Sequence, residues 1–266
     1  MILVNGSPVN TTLFPDNTSQ VWKVKQLEIP DTNWVMVTWE FSHEGEFMQL
    51  AQLKTLIDRM GFRCALKLKY LPYGRQDKEV SNSATFALRT FASLLNTLGF
   101  EEIIIVDPHS EIAIDLIVHS RAQYPKESIH KIIDMGLCTL ACYPDKGART
   151  KYTRVYADII GSCHVYGEKV RDQLTGNITN YELITGQYNV VGEKILIIDD
   201  ICDGGMTFKI LAKDLLAAGA TEVNLFVTHG IFSRGLKTLH ESGINRIFTQ
   251  DGEASEVQNQ IAYRRL

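Results

Sequence analysis

Two hydrophobic periods alternate along the chain. Residues 34–39 (WVMVTW), 64–70, 102–106 (EIIIV), 139–143, 158–165, 195–198 (ILII), 223–228 and 245–249 are short apolar runs of strand length. Between them, residues 46–60, 84–98 and 208–220 place apolar side chains three and four apart, and the first two stretches close at a glycine (Gly61, Gly99). That spacing predicts amphipathic helices with glycine stops. A shorter helix is predicted over 110–118, and the alternation across 178–188 suits a flap or hairpin.

Strands that alternate with helices predict an α/β fold, with largely parallel sheets covered by helices. A polar, proline-containing stretch at 124–128 reads as a junction. It divides the chain into residues 1–127 and 128–266, each with its own sheet. Both halves repeat the order strand, acidic strand end, helix, which hints at duplicated domains.

Composition narrows the class. The 266 residues are 45% hydrophobic and 22% charged, values of a soluble globular protein. A net charge of −4 and a pI near 6.0 argue against a broad nucleic-acid or membrane surface. The opening MILVNGSPVN lacks the basic region and apolar core of a signal peptide. No run reaches the ~18 apolar residues of a membrane span. The five cysteines are odd in number and scattered, so neither a disulfide framework nor a zinc pattern is expected. Most of them read as small buried hydrophobes in a reducing, cytoplasmic setting.

The densest chemistry lies at 195–207, ILIIDDICDGGMT. A buried strand runs into Asp199 and Asp200, then into Asp203, Gly204, Gly205, Met206 and Thr207, then into a helix. Glycines let backbone N–H groups approach a phosphate, and the helix end adds partial positive charge. Thr207 suits either a helix cap or a hydroxyl donor to that phosphate. The two aspartates would repel a bare phosphate, but the hydroxyls of a ribose or a Mg²⁺ ion would satisfy them. Phosphate, ribose and metal together describe a phosphoribosyl site. The bland reading is an ordinary βα turn capped by Asp203.

Four other segments carry candidate chemistry. In YGRQDK, Arg75 offers a planar fork for phosphate or for a purine face, Gln76 suits an adenine edge, and Asp77 and Lys78 follow; the alternative is a solvated charged turn. His109, after Asp107 and Pro108 at a strand end, suits Mg²⁺ or a terminal phosphate, against a reading as a surface histidine beside a helix-capping Asp107. PDKGAR repeats the design, with Asp145 placed for a metal or a ribose hydroxyl. Lys169 and Arg171, in YGEKVRDQLTGN, suit a mobile loop that closes over transferring phosphates, against a plain surface pair.

In this order the segments resemble the ribose-phosphate diphosphokinase family, also called phosphoribosyl pyrophosphate synthetases. YGRQDK is similar to its ATP-binding segment, DPHSE to its metal and phosphate segment, and PDKGAR to its pyrophosphate loop. KVR at 169–171 is similar to its catalytic flexible loop, and IIDDICDGGMT to its ribose 5-phosphate loop. THGIFS is a further match. The likeness covers about residues 14–235. It departs where Thr18 replaces a usual Glu after Phe14–Pro15–Asp16, and where Gly204–Gly205–Met206 replaces a Thr-x-Gly. The family's opening strand and helix also have little room before Phe14.

The resemblance implies two type I phosphoribosyltransferase-like domains, with ATP on the side of residues 1–127. It implies ATP and ribose 5-phosphate as substrates, Mg²⁺ as cofactor, and a homo-oligomer of at least two chains. Lys169 and Arg171 become the catalytic cations. Arg75, Gln76, Asp77 and His109 hold ATP, with Phe14 and Asp16 from a neighbouring subunit. His109 and Asp145 hold metal, and residues 199–200 and 203–207 hold ribose 5-phosphate. Two other readings are a type I phosphoribosyltransferase, which shares the sugar-phosphate loop but has no use for the ATP segments, and a non-catalytic synthetase-associated regulator, which would be expected to lose Lys169 and Arg171.

Overall fold

A computed structural model describes residues 1–22, 24–27, 33–81, 83–161, 163–171 and 178–255. The chain divides into two units, residues 1–124 and the chain from Pro125 onward.

The first unit contains β1 (Ile2–Val4), β2 (Ser7–Pro8), β3 (Thr11–Leu13), β4 (Ser19–Val21), β5 (Trp34–Trp39), α1 (Glu46–Arg59), β6 (Arg63–Leu68), α2 (Ala87–Asn96), β7 (Glu102–Val106), α3 (Ile112–Leu116) and β8 (Ser120–Gln123). Its main sheet runs β2-β1-β5-β6-β7-β8. β5 to β8 are parallel neighbours in chain order, whereas β1 pairs antiparallel with β5. Alternate residues of β5, Val35, Val37 and Trp39, point into a cluster with Leu50, Leu53 and Ile57 of α1 and Leu88, Phe91 and Leu95 of α2. Each such buried side chain contributes about 1.5–3 kcal/mol. β3 and β4 form a separate hairpin.

The second unit contains α4 (Lys126–Asp134), β9 (Leu140–Tyr143), α5 (Lys146–Val155), α6 (Ala157–Ile160), β10 (His164–Arg171), β11 (Ile178–Ile184), β12 (Lys194–Cys202), α7 (Met206–Ala217), β13 (Glu222–Gly230), α8 (Lys237–His240), β14 (Ile244–Thr249) and β15 (Gly252–Glu253). Its sheet runs β11-β10-β9-β12-β13-β14-β15, with the five strands from β10 to β14 parallel. Ile195 to Ile198 of β12 are all buried, as expected of a strand covered on both faces. Phe208, Leu211 and Leu215 of α7 close one of those faces.

Mixed α/β architecture with mostly parallel, helix-flanked sheets is therefore observed in each unit. The strand expected at 158–165 is not. Ala157–Ile160 is a short helix, Gly161 ends it at φ 70°, and the strand starts at His164, where pairing with Ala141 of β9 begins. α4 fills most of the stretch read as a junction. Among the described residues, no helix is long and apolar enough to cross a membrane.

All five cysteines are free. Burial pushes the Cys64 and Cys202 thiols up to about 12, which makes them inert packing residues. Cys163 is exposed just before β10.

Candidate active site

The strand order of the second unit indicates where a ligand fits. From β9 the chain passes through α5 and α6 to β10 on one side; from β12 it passes through α7 to β13 on the other. The order reverses between β9 and β12. In an open α/β sheet, the crevice beyond the C-terminal ends of such a strand pair is the binding position. The loops leaving β9 and β12 carry Asp145 and residues 203–205.

β12 runs through Cys202, because Ile201 and Cys202 pair with His229 and Gly230 of β13. Asp199 and Asp200 thus sit on the strand itself. Asp200 is buried, and its N–H donates to Asp199 Oδ1 at 2.9 Å. Burial, then the carboxylates of Asp200 and Asp145, push Asp199 well above the usual carboxylate range. Carboxyl groups crowded in this way are satisfied by hydroxyl donors or by a cation.

That crowding has a measurable consequence. A carboxyl whose folded value is raised costs nothing below the ordinary 3.8, and costs stability as pH rises through its folded value. Asp199→Asn should therefore stabilise the ligand-free protein at neutral pH, by about 0.5–2 kcal/mol. The gain should shrink as pH falls toward 3.8. Thermal unfolding in a chelator at several pH values reads this directly, and a lower midpoint for the variant at neutral pH would contradict it.

Gly205 is the N-cap of α7 and takes a left-handed φ of 73°. A Cβ there would lie 2.7 Å from Leu239 Cδ2, so the position requires glycine twice over. Gly205 brings no side chain of its own to cap α7. Thr207 is the second residue of that helix, so the capping alternative for it is not observed. The N-terminus of α7, with its N–H groups and helix dipole, suits an anion. Met206 is exposed, and Asp203, Gly204 and Thr207 are half-buried. Arg234, from the loop after β13, was missed: its Nε lies 3.6 Å from where a Gly204 Cβ would stand. A lone arginine between strands leaves no sequence signal.

On the β9 side, Asp145 caps α5, its Oδ1 accepting the Ala148 N–H at 3.0 Å. Arg149 donates from Nε to His164 Nε2 at 3.1 Å and stacks 4.2 Å from the Tyr166 ring, bracing α5 against β10.

Lys169 and Arg171 were expected on a loop beyond a strand. Their backbone instead belongs to β10, opposite Tyr181 and Ile178 of β11, with a register shift between Val170 and Arg171. The strand reaches further because β11 continues to pair with it after β9 has ended. The side chains of Lys169 and Arg171, and residues 172–177, lie outside the described residues.

In the first unit, YGRQDK follows β6. Tyr73 adopts φ 62°, donates its hydroxyl to Glu44 Oε1 at 2.5 Å, and packs 5.4 Å from the Phe91 ring. Gln76 N–H donates to the Tyr73 carbonyl and Gln76 O accepts from Leu88 N–H. The turn is pinned by its backbone while the Arg75 and Gln76 side chains are exposed and Asp77 is half-buried. At the end of β7, Asp107 is buried at φ 45° and His109 is exposed. Asp107 does not cap α3, whose N-cap is Glu111.

Phe14 and Asp16 lie at the exposed tip of the β3–β4 hairpin. Asp16 Oδ1 accepts from the Thr18 hydroxyl at 2.7 Å and the Thr18 N–H at 3.0 Å, which holds its carboxyl below the usual range. Thr18 thereby fixes the tip.

Among the described residues, no three His, Cys, Asp or Glu side chains form a metal-binding group. The donor set still suits Mg²⁺, which ordinarily takes one or two carboxylates and completes its shell with water and substrate phosphates.

No protein-family model matches the chain. It is 25% identical over 247 residues to a ribose-phosphate pyrophosphokinase of Saccharolobus solfataricus, covering 90% of this chain and 82% of that protein. The same name belongs to a Pyrococcus abyssi protein, 25% identical over 258 residues, 95% of this chain and 87% of the relative. A crystal structure of phosphoribosylpyrophosphate synthetase from Mycobacterium smegmatis shares the fold at a TM-score of 0.73 and 19% identity, over 97% of this chain and 89% of that one. Motif order, fold and these relatives agree: along nearly its whole length the chain is similar to ribose-phosphate pyrophosphokinases, and it shares the fold of the solved synthetase.

Proposed function

We propose that the chain transfers the diphosphoryl group of ATP to ribose 5-phosphate, giving 5-phosphoribosyl 1-diphosphate and AMP. One observation carries the reading: at the switch point of the second unit, a mutually repelling acidic pair adjoins a helix N-terminus that starts at a left-handed glycine. A sugar phosphate answers both. Its ribose hydroxyls donate to Asp199 and Asp200, and its phosphate accepts N–H bonds from the turn formed by Asp203, Gly204, Gly205, Met206 and Thr207. The names of the relatives support the same activity.

The anomeric hydroxyl attacks the β-phosphorus and loses its proton, the bond to the bridging oxygen breaks, and AMP leaves. This chemistry needs positioning and charge stabilisation rather than a protein nucleophile. Lys169 and Arg171 meet the charge on the moving group. Arg75, Gln76 and Asp77 hold the nucleotide with Phe14 and Asp16 of a neighbouring copy, so the working unit is at least a dimer. His109 in the first unit and, separately, Asp145 in the second are the residues that would meet Mg²⁺, which neutralises triphosphate charge when bound. The inert thiols suit a cytoplasmic setting.

AMP release should require both ribose 5-phosphate and Mg²⁺. Equal release without the sugar would identify an ATP pyrophosphatase instead. Pyrophosphate release from phosphoribosyl pyrophosphate and a base would identify a phosphoribosyltransferase.

A further inference from the structure

Tyr181 lies on β11 opposite Lys169, and Gly167 stands two residues before that partner on β10. A Cβ at Gly167 would fall 1.8 Å from Tyr181 Oη and 2.2 Å from its Cζ. The phenol therefore crosses β10 through space that any other residue at 167 would fill. Beyond the crossing, Tyr181 Oη donates to the Pro144 carbonyl at 2.5 Å. Pro144 immediately precedes Asp145, the cap of α5. The Tyr181 ring also packs on the core cluster beneath α7. Burial, with Asp145 and Asp199 nearby, raises its hydroxyl above the ordinary range, so it remains a donor.

We propose that Tyr181 is a positioning residue of this site: by holding the Pro144 carbonyl from across Gly167, it ties the β10–β11 arm to the loop that carries Asp145. The inference rests on the reaction proposed above. The arm carries Lys169 and Arg171, and the loop carries a group that the transfer uses at the same moment. Small errors in their relative position cost rate steeply, because the aligned geometry is reached only in the transition state. Ground-state binding of sugar or nucleotide draws on other residues, so it should survive loss of the anchor.

Tyr181→Phe keeps the ring over Gly167 and removes only the donor. It should lower kcat about tenfold, the rate equivalent of one hydrogen bond, while both KM values stay within about twofold of the parent. Amide exchange across 145–149 should accelerate. Gly167→Ala expels the phenol, so it should reproduce the kcat loss. The double variant should then be no slower than Gly167→Ala alone. A Tyr181→Phe enzyme with parental kcat, or one changed only in KM, would overturn the proposal and reduce Tyr181 to packing. A parent protein that forms no AMP would overturn the reaction and this inference together, whereas an active parent with an unaffected Tyr181→Phe variant removes the inference alone.

Discussion

Lys169→Ala and Arg171→Ala should each lower turnover by about 10²–10³, the loss of about 2.7–4 kcal/mol seen when one donor is removed from a comparable electrostatic site. KM for ATP and ribose 5-phosphate should change little. The reasoning starts from where charge moves. During diphosphoryl transfer, charge grows on the bridging oxygen and redistributes over the migrating phosphates, so a cation placed there acts mainly in the transition state. The backbone of both residues lies in β10, next to the described strand β11 and two strands from β12 with its acidic pair. An arm tethered at its base can carry two cations over a substrate and still release product. Thermal stability should barely move, since the sheet core is built from other residues. Steady-state kinetics with a thermal midpoint for each variant tests all of this. A Lys169→Ala enzyme with near-normal kcat would sink it. A loss expressed wholly as weaker binding would make these residues ground-state clamps.

The legible parts of the fold were those where burial writes itself as an unbroken apolar run. β5, β7, β9, β12 and β13 are buried on one or both faces, and their residues say so. The edges were illegible for the same reason. β8 reads SRAQ with alternating exposure, and β3 is exposed throughout, so neither offers a hydrophobic signal. α4 was hidden because its fully buried positions are only Ile129 and Ile132, in an otherwise polar helix. Ile159 and Ile160 misled in the opposite direction, since two aliphatics before a glycine suit a strand and a short helix equally.

Candidate site residues divide in a related way. Asp145 and Gly205 were readable as candidates because strand ends and helix starts are local events; Asp199 and Asp200 were readable as a pair, though the strand carries on past them to Cys202. Tyr181, Gly167 and Arg234 were not, because their meaning arises from register and tertiary approach between segments distant in sequence. The place of the Lys169 and Arg171 backbone in a strand had the same cause, as pairing with β11 decides it.

Gly205→Ala should cost the protein roughly 2–5 kcal/mol, the sum of two separate penalties. A left-handed φ costs an L residue about 1–2 kcal/mol, and the φ here is 73°. Overpacking typically costs about 1–3 kcal/mol, and the new Cβ would approach Leu239 Cδ2 at 2.7 Å. Leu239 is itself buried in the core of the second unit, so it has little room to yield. A loss of that size lowers the thermal midpoint by roughly 2–4 °C per kcal/mol in a chain of this length. Gly204→Ala provides the contrast. Its Cβ would meet nothing closer than Arg234 Nε at 3.6 Å, an ordinary contact, and its φ is not positive. The midpoint should therefore stay within about a degree, since a surface change away from core features is worth about 0.5 kcal/mol or less. Sugar-phosphate binding should nevertheless weaken, because a methyl group stands where a phosphate would approach the backbone. Paired thermal scans and ribose 5-phosphate titrations separate the two glycines. If Gly205→Ala melts with the parent, α7 can begin without its left-handed cap, and the anion site built on that cap loses its foundation.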